Sequence, residues 1–560
     1  MLPFNSNQIK SKLSFFLLGL ASACLTLTSL PVKAAEKLLF TYGPIKLSVD
    51  VESLEVFAQN GTINEDLEQY LKRISPEDQE KFRAALNKKV DIDGVKISRF
   101  LNSNMGQDIL LRLGKGITLE GGENGGIALR GGIIQSALEP SGLTLLNVLK
   151  NYPTNLQIQG ELIMGGVEYT EKVIKATDLL VTSMRTWTEE EARTNTPVDY
   201  NTLSDIRQQG KYQVKQEKWQ VTDSSRDRSF YIDVFAPQGV SGNIPVIIFS
   251  HGLSSRPEDY AEGLNHLASH GFLVAAPQHV GSDVIYFKEM FEGLNKNVFD
   301  ENEFINRPKD ISFVIDELER RNQSEFQSKL NLTNVGVSGH SFGGYTALAV
   351  SGATIDFDYL QQSCDRLYSG LNVAILLQCQ ALNLPRQDYQ FQDPRVKAVF
   401  AANPVNRFIF GKKGIRQIGI PVLMGSGSDD PATPPAFEQA VPFTWLQGEN
   451  KYWALIEGQA HVNFSKLDGG IKEALDSTLH FTFPPQDLIS AYVKGITLAF
   501  FEVHLNNNQD FRPYLQSNYA EYLSTDQQFK LSFITKESSD QLKGAIDTFR
   551  RENNITWEDE

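Results

Sequence analysis

The feature that most restricts the fold of this chain is the pattern Gly-His-Ser-Phe-Gly at residues 339–343. A short apolar run at residues 335–338 precedes it, and an Ala- and Leu-rich segment follows it. Such a pattern between a strand and a helix is typical of a sharp turn that exposes the serine hydroxyl. Gly339 and Gly343 leave room for the turn, and the helix N-terminus favours negative charge that develops near Ser341. We therefore expect Ser341 to be a nucleophile.

Strand and helix patterns alternate from residue 212 onward, which is typical of an α/β fold with a mostly parallel central sheet flanked by helices. The segments 212–221 and 229–236 predict a hairpin that opens this region. Further strands are predicted at 244–249, 272–276, 335–338, 396–401, 421–424 and 452–456. Helices are predicted at 257–269, 308–321, 342–351 and 491–504.

A serine hydroxyl becomes an effective nucleophile only when a base accepts its proton. In the chain order Ser, acid, His, the base follows the acid, and three histidines follow Ser341: His461, His480 and His504. His461 lies on a loop directly after a predicted strand, three residues after Gly458. His504 falls within a predicted helix, and His480 lies in an apolar stretch without a matching context. These positions favour His461 as the base.

Two carboxylates follow the predicted strand at 421–424, namely Asp429 and Asp430. Asp430 stands four residues before Pro434, and this spacing favours Asp430 as the acid that orients His461. Asp429 remains the alternative, and its other role would be to cap the turn.

Two backbone N–H groups are needed to hold the negative oxygen that develops during acyl transfer. The sequence predicts those of Phe342, the residue after the nucleophile, and of Leu253, with Gly252 allowing close approach of the backbone. We expect His251 to orient this loop. The chemistry needs no cofactor, and no metal site is predicted, because no Cys or His stands at ligand spacing around the cysteines.

The segments 250–253 and 339–344 resemble motifs of the α/β-hydrolase superfamily. The closer resemblance is to plasma-type platelet-activating-factor acetylhydrolases and the dienelactone-hydrolase-like proteins grouped with them, and residues 307–316 resemble the helix before the nucleophile strand in that group. The resemblance covers about residues 212–505 and implies cleavage of short-chain or oxidised acyl esters. It does not extend to dienelactone chemistry, because that enzyme uses cysteine where this chain has Ser341.

The N-terminus is predicted to be a signal peptide at residues 1–34, with basic Lys10 and Lys12, an apolar stretch at 13–30 and small residues before the cleavage point. The protein is therefore expected to be exported, either periplasmic or secreted, with no stable transmembrane anchor after cleavage. Two alternatives are a retained membrane anchor and a lipoprotein acylated at Cys24.

Three regions follow the signal peptide. Residues 35–160 are predicted to be a mainly helical domain that resembles a domain of unknown function attached to such hydrolases in cyanobacteria. Residues 161–211 are predicted to connect it to a hydrolase domain at 212–560. A lid-like insertion at about 352–393 carries Cys364 and Cys379, and the oxidising environment of an exported protein favours a disulfide between them. The alternative is two separate buried thiols.

The formal net charge of −15 argues against nucleic acid and anionic membrane surfaces as partners, because both require basic patches. The expected partner is a small-molecule or lipid ester, and the expected function is that of an exported serine esterase on carboxylic esters. A lipase, a polyesterase or an amidase could use the same three residues. In a different class, the chain could be a binding or scaffold protein whose functional part is residues 35–160.

Overall fold

The computed structural model describes residues 35–72, 74–461 and 484–555. The predicted signal peptide, its cleavage point, Cys24 and His480 lie outside the described residues. The chain divides into two compact units, Met1–Ser98 with Leu110–Ile163, and Arg99–Ile109 with Met164–Glu560.

Between residues 35 and 159 the described part of the chain forms seven helices and a small sheet in the strand order β2-β1-β4-β3. The strands are β1 (Lys37–Tyr42), β2 (Ile45–Asp50), β3 (Ile117–Leu119) and β4 (Leu156–Gln159). The helices are α1 (Val51–Asn60), α2 (Glu65–Leu71), α3 (Pro76–Asn87), α4 (Gly94–Asn102), α5 (Asn104–Gly116), α6 (Gly126–Leu138) and α7 (Leu145–Lys150). Ser75 caps α3, since its hydroxyl accepts a hydrogen bond from the Asp78 N–H at 3.1 Å. The sequence predicted the helices here, but not this sheet.

A 35-residue helix, α8 (Gly160–Thr194), occupies most of the segment that the sequence predicted as a connection. Threonines such as Thr177, Thr182 and Thr188 donate side-chain hydrogen bonds to the carbonyl four residues earlier. Such β-branched residues have low helix propensity, which explains why the pattern did not predict a helix.

The second unit is built on a nine-stranded sheet in the order β13-β12-β11-β10-β9-β7-β8-β6-β5. Strands β7 to β12 are parallel to their neighbours within this group, whereas β5, β6 and β13 pair antiparallel. The strands are β5 (Val214–Asp223), β6 (Arg228–Pro237), β7 (Ile244–Ser250), β8 (Leu273–Pro277), β9 (Leu330–His340), β10 (Val396–Ala402), β11 (Val422–Gly427), β12 (Lys451–Ile456) and β13 (Leu531–Thr535). The predicted α/β fold with a mostly parallel sheet is confirmed.

Helices cover both faces of this sheet, because successive residues of a buried strand point to opposite sides. On β7, Val246 and Ile248 pack into one apolar cluster, and Ile247 packs into the other. After α8, the helices that the structure describes in this unit are α9 (Ala261–Ser269), α10 (Val284–Glu292), α11 (Glu303–Glu325), α12 (Phe342–Val350), α13 (Phe357–Asp365), α14 (Val373–Cys379), α15 (Arg407–Ile415), α16 (Pro435–Glu438), α17 (Ala440–Trp445), α18 (Gln486–Leu505), α19 (Ser517–Ser524) and α20 (Ser539–Glu552).

Helix α18 is the one helix among the described residues that is long and apolar enough to cross a membrane. Its Leu498, Phe500 and Phe501 side chains are fully buried in the second apolar cluster. The apolar composition of α18 is therefore accounted for by its packing against the sheet.

Candidate active site

Ser341 lies in the turn between β9 and α12, with a positive φ of 57° and a ψ of −117°. This backbone conformation is costly for a residue other than glycine and is held by its surroundings. The Ser341 N–H donates to the Ala402 carbonyl at 2.9 Å, and the Ser341 carbonyl accepts from Gly344 and Tyr345. The turn thus holds the serine between a strand end and a helix N-terminus.

The glycines at either side of Ser341 are required by close backbone contacts. A Cβ atom on Gly339 would lie 2.1 Å from the Gly343 carbonyl oxygen. A Cβ atom on Gly343 would lie 1.9 Å from the Ser250 carbonyl oxygen. Both distances are too short for real contacts, so only glycine fits at these two positions.

The structure brings Ser341, His461 and Asp430 into one chain of hydrogen bonds. His461 Nε2 lies 2.8 Å from Ser341 Oγ, and His461 Nδ1 lies 2.7 Å from Asp430 Oδ2. The carboxylate can only accept at neutral pH, so Nδ1 carries the proton and Nε2 is free to accept one from the serine hydroxyl. This arrangement is that of a nucleophile, a base and an orienting acid.

Asp430 is buried, whereas Asp429 is exposed and accepts a hydrogen bond from Ser428. Burial alone would raise the pKa of Asp430, but the neighbouring His461 and hydrogen bonds from Thr433 hold that pKa well below its usual range. The Asp430 carboxylate also accepts from the Asn403 side chain and the Ala432 N–H. Of the two candidate acids, the contact with His461 therefore belongs to Asp430.

Of the two other histidines that follow Ser341, the structure describes His504. His504 is on α18, where its Nε2 lies 3.3 Å from the Tyr452 hydroxyl. His480 lies outside the described residues. Of the described histidines, His461 is the one whose ring nitrogen contacts the Ser341 hydroxyl.

The two candidate oxyanion donors lie on segments close to Ser341: Leu253 lines the same cavity, and Phe342 is the next residue in the chain. Phe342 is the first residue of α12, where backbone N–H groups lack partners within the helix. Leu253 follows β7, and a Cβ atom added to Gly252 would lie 3.5 Å from Ser341 Cβ, so this loop runs close to the nucleophile. Neither N–H group has a protein acceptor among the described residues, which leaves both available to an incoming oxygen.

His340 connects the two loops that flank the nucleophile. Its Nε2 lies 2.9 Å from the His461 carbonyl oxygen and must donate to it, so its Nδ1 accepts from the Tyr260 hydroxyl at 3.0 Å. The same hydroxyl accepts from the Gly252 N–H at 3.4 Å. Burial lowers the pKa of His340 to about 3, so the ring stays neutral at neutral pH. The sequence predicted neither this bridge nor the contribution of Tyr260.

A cavity of about 910 Å³ opens at Ser341 and His461. Its wall includes residues from the sheet, α9 and α18, and many of them are apolar: Phe249, Leu264, Phe400, Leu423, Ile489 and Ile496. No described residue of the insertion at 352–393 lines it. We expected that insertion to cover the site, but the described wall of this cavity is built by other elements.

The insertion contains the predicted disulfide, which joins Cys364 on α13 to Cys379 on α14. Both cysteines are buried in the first apolar cluster, where α13 packs against α15. The bond thus joins two short helices of the insertion through side chains that are buried.

One group of side chains could supply metal ligands by composition, namely His279, Glu303 and Asp310. Arg228 pairs with both carboxylates, at 2.8 Å from Glu303 and 2.9 Å from Asp310. Arg226 also lies 2.8 Å from Asp310. The positive charges that a metal ion would supply are already provided here by arginines, so this cluster is a buried ion-pair network.

Two family models match separate parts of the chain. A model described as an alpha/beta hydrolase of unknown function (DUF1400) matches residues 34–159, and the chlorophyllase model matches residues 202–364. The second range includes Ser341 and both candidate oxyanion donors.

Curated relatives of this chain are also named chlorophyllases. The chain is 31% identical over 130 residues to Chlorophyllase-1, chloroplastic, of Citrus sinensis, which covers 22% of this chain and 35% of that protein. It is 32% identical over 120 residues to Chlorophyllase-1 of Arabidopsis thaliana, which covers 21% of this chain and 32% of that protein. The chain thus spans about a third of the length of these relatives. It has the α/β-hydrolase fold, and these matches support its membership of the α/β-hydrolase superfamily.

Proposed function

We propose that this protein is an exported serine esterase that hydrolyses carboxylic esters through an acyl-enzyme intermediate. The observation that carries the proposal is the continuous hydrogen-bond chain Ser341–His461–Asp430, with distances of 2.8 and 2.7 Å between the bonded atoms. The matches to chlorophyllases give independent support to ester hydrolysis on this fold.

In the first half of the reaction, His461 Nε2 accepts the Ser341 proton while Ser341 Oγ bonds to the ester carbonyl carbon. The N–H groups of Leu253 and Phe342 hold the oxygen that becomes negative. The His461 imidazolium, stabilised by Asp430, then gives its proton to the alkoxide oxygen as the carbon–oxygen bond breaks, and the alcohol leaves.

In the second half, water takes the place of the alcohol. His461 accepts a proton from the water, whose oxygen bonds to the acyl carbon. The bond from that carbon to Ser341 Oγ breaks, His461 returns the proton to Ser341, and the acid leaves. Every proton is moved by His461, so the residues of the chain are sufficient for the cycle.

The substrate we propose is a lipid-like or short-chain acyl ester. The size of the cavity, about 910 Å³, and its apolar wall suit a substrate with a substantial apolar portion. The resemblance to platelet-activating-factor acetylhydrolases supports a short acyl group. A lipase, a polyesterase or an amidase would use the same three residues, so the substrate preference must be measured.

Export is supported by the signal-peptide pattern at residues 1–34 and by the disulfide, because disulfides form and persist in oxidising compartments. We propose a periplasmic or secreted location. The negative charge of the chain supports a small-molecule or lipid partner rather than nucleic acid.

Hydrolysis of nitrophenyl esters with acyl chains of graded length tests the activity and the preference together. We expect turnover by the native protein and a loss of at least about 10⁴-fold in kcat for Ser341→Ala. Ser224→Ala, at an exposed serine in the β5–β6 turn, is the matched control and should retain native turnover. Equal turnover by Ser341→Ala and the native protein would contradict the mechanism.

Chlorophyll is the second candidate substrate, because the chlorophyllase model matches residues 202–364, which contain Ser341, and two curated relatives are named chlorophyllases. Chlorophyll in detergent micelles, assayed by release of its long-chain alcohol, therefore belongs in the ester panel. A kcat/KM for chlorophyll above that for every nitrophenyl ester would favour this candidate, and no release of the alcohol would eliminate it.

A further inference from the structure

The N–H and the carbonyl of the peptide that joins Gly252 to Leu253 have different partners. Its N–H, on Leu253, is one of the two candidate oxyanion donors. Its carbonyl oxygen, on Gly252, accepts from His251 Nδ1 at 2.8 Å and from Arg307 Nη2 at 3.4 Å. Two donors thus act on the opposite end of the peptide whose N–H would hold the oxyanion.

The protonation of His251 follows from its partners. His251 Nε2 accepts from the His279 N–H at 3.0 Å, so Nε2 carries no proton. The proton of the neutral ring is therefore on Nδ1, which donates to the Gly252 carbonyl. Burial, together with the neighbouring Arg307 charge, holds the pKa of His251 well below its usual range, so the ring remains neutral.

Arg307 is fully buried on α11 and is held from several sides. Its Nε donates to Ser282 Oγ at 2.8 Å, its Nη1 donates to the His251 carbonyl at 2.6 Å, and Glu303 lies 3.8 Å away. Its guanidinium carbon lies 4.3 Å from the centre of the Phe342 ring. Arg307 therefore contacts both segments that supply the candidate oxyanion donors.

We propose that His251 and Arg307 are positioning residues that orient and polarise the Gly252–Leu253 peptide for transition-state binding; this rests on the proposed esterase function. Hydrogen bonds along a chain strengthen one another, so donors to the Gly252 carbonyl make the Leu253 N–H a better donor. The planar fork of Arg307 spans the carbonyl oxygens of His251 and Gly252, which aligns the loop. The effect is largest when charge develops on the substrate oxygen and small in the ground state.

The test compares His251→Phe and Arg307→Lys with the native protein on a short nitrophenyl ester, with active sites counted by titration. We expect kcat per active site to fall by about 5- to 50-fold with KM within about twofold, less than the 10²- to 10³-fold typical of losing an oxyanion donor itself. The inhibition constant of a trifluoromethyl ketone, which places an oxyanion in the same position, should rise by the same factor as kcat/KM falls.

A purely structural role would lower thermal stability and the number of active sites, but not kcat per site or the inhibition constant. His504→Phe, the same change at a histidine on α18, is the control and should leave kcat per active site and the inhibition constant unchanged. Native values of kcat per site and inhibition constant in both variants would overturn this inference alone. A native protein without ester turnover would overturn the proposed function, and this inference with it.

Discussion

At Asp430, burial and hydrogen bonding act on the carboxyl group in opposite directions. Burial opposes the charged form, but His461 and the donors Thr433, Ala432 and Asn403 stabilise it. The pKa of Asp430 is consequently held below its usual range. The carboxylate is therefore charged across the pH range in which His461 must accept a proton, and this is the state that the proposed mechanism needs.

Replacing Asp430 by Asn tests this role directly. The amide would favour the His461 tautomer with its proton on Nε2, which cannot accept from Ser341, so we expect kcat to fall by about 10³- to 10⁴-fold. Steady-state kinetics on a nitrophenyl ester measure the effect. Asp429→Asn is the matched control and should stay within about twofold of native, because Asp429 is exposed and contacts Ser428. A larger loss in Asp429→Asn than in Asp430→Asn would reverse the assignment.

Ser341, Asp430 and His461 could be predicted because each lies just after a strand, in an order that the pattern itself suggests. Arg307, Tyr260 and His340 act through contacts between distant parts of the chain. Arg307 reaches the His251 carbonyl over 56 residues, and Tyr260 reaches His340 over 80. No local pattern predicts such contacts, because they arise only when the sheet brings the loops together.

Among the elements, the predicted strands of the second unit agree with the structure because buried parallel strands are short apolar runs bounded by turn residues. Strand β13 was not predicted, although its Phe533 and Ile534 are buried. In the chain, β13 comes after the region in which strand and helix patterns alternate. It pairs antiparallel with β12, which lies in a distant part of the chain. Its five residues alone do not distinguish a strand from a helix segment.

We expect the disulfide between α13 and α14 to contribute to the stability of the protein but not to catalysis. We expect the double variant Cys364→Ser with Cys379→Ser to lose up to about 3 kcal/mol of unfolding free energy, because the bond closes a short loop in the unfolded chain. Catalysis on a short ester should be unaffected, since no described residue of the insertion lines the cavity at Ser341. Denaturant unfolding and kinetics on the same samples measure both quantities.

Native protein treated with a thiol reductant is the control for that experiment and should lose the same unfolding free energy. If the variant lost kcat per active site but no unfolding free energy, the expectation would be contradicted, and the insertion would contribute directly to catalysis.

Across the whole molecule, buried neutral histidines make stability depend on pH. Burial is the first cause of a lowered pKa at six described histidines: His251, His266, His270, His279, His340 and His504. For His504 the pKa falls from 6.5 to about 4. The pKa of 6.5 applies to His504 in the unfolded chain, and the pKa of about 4 applies to it in the folded protein. Between these values the unfolded chain binds a proton that the folded protein does not, so the unfolding free energy decreases as the pH falls from 6.5 toward 4.

Buried carboxyls such as Glu303, whose pKa burial raises, change the unfolding free energy with pH in the opposite direction to the histidines. The contribution of His504 is therefore obtained by comparing the unfolding free energy of His504→Gln with that of the native protein. The unfolding free energy of the variant, relative to native, should rise as the pH is lowered from 6.5 to about 4, by at most about 1.4 kcal/mol per pH unit. Urea unfolding at a series of pH values measures it. A constant difference across this range would show that His504 does not titrate in this way.

The central claim, that Ser341 is an activated nucleophile, is tested most directly by reaction with a fluorophosphonate, followed by mass spectrometry of the intact chain and of its peptides. A serine paired with a base as Ser341 is with His461 should react, so we expect one adduct per chain, on the peptide that contains Ser341, and none in Ser341→Ala. No adduct on the folded native protein, or an adduct that persists in Ser341→Ala, would contradict the account.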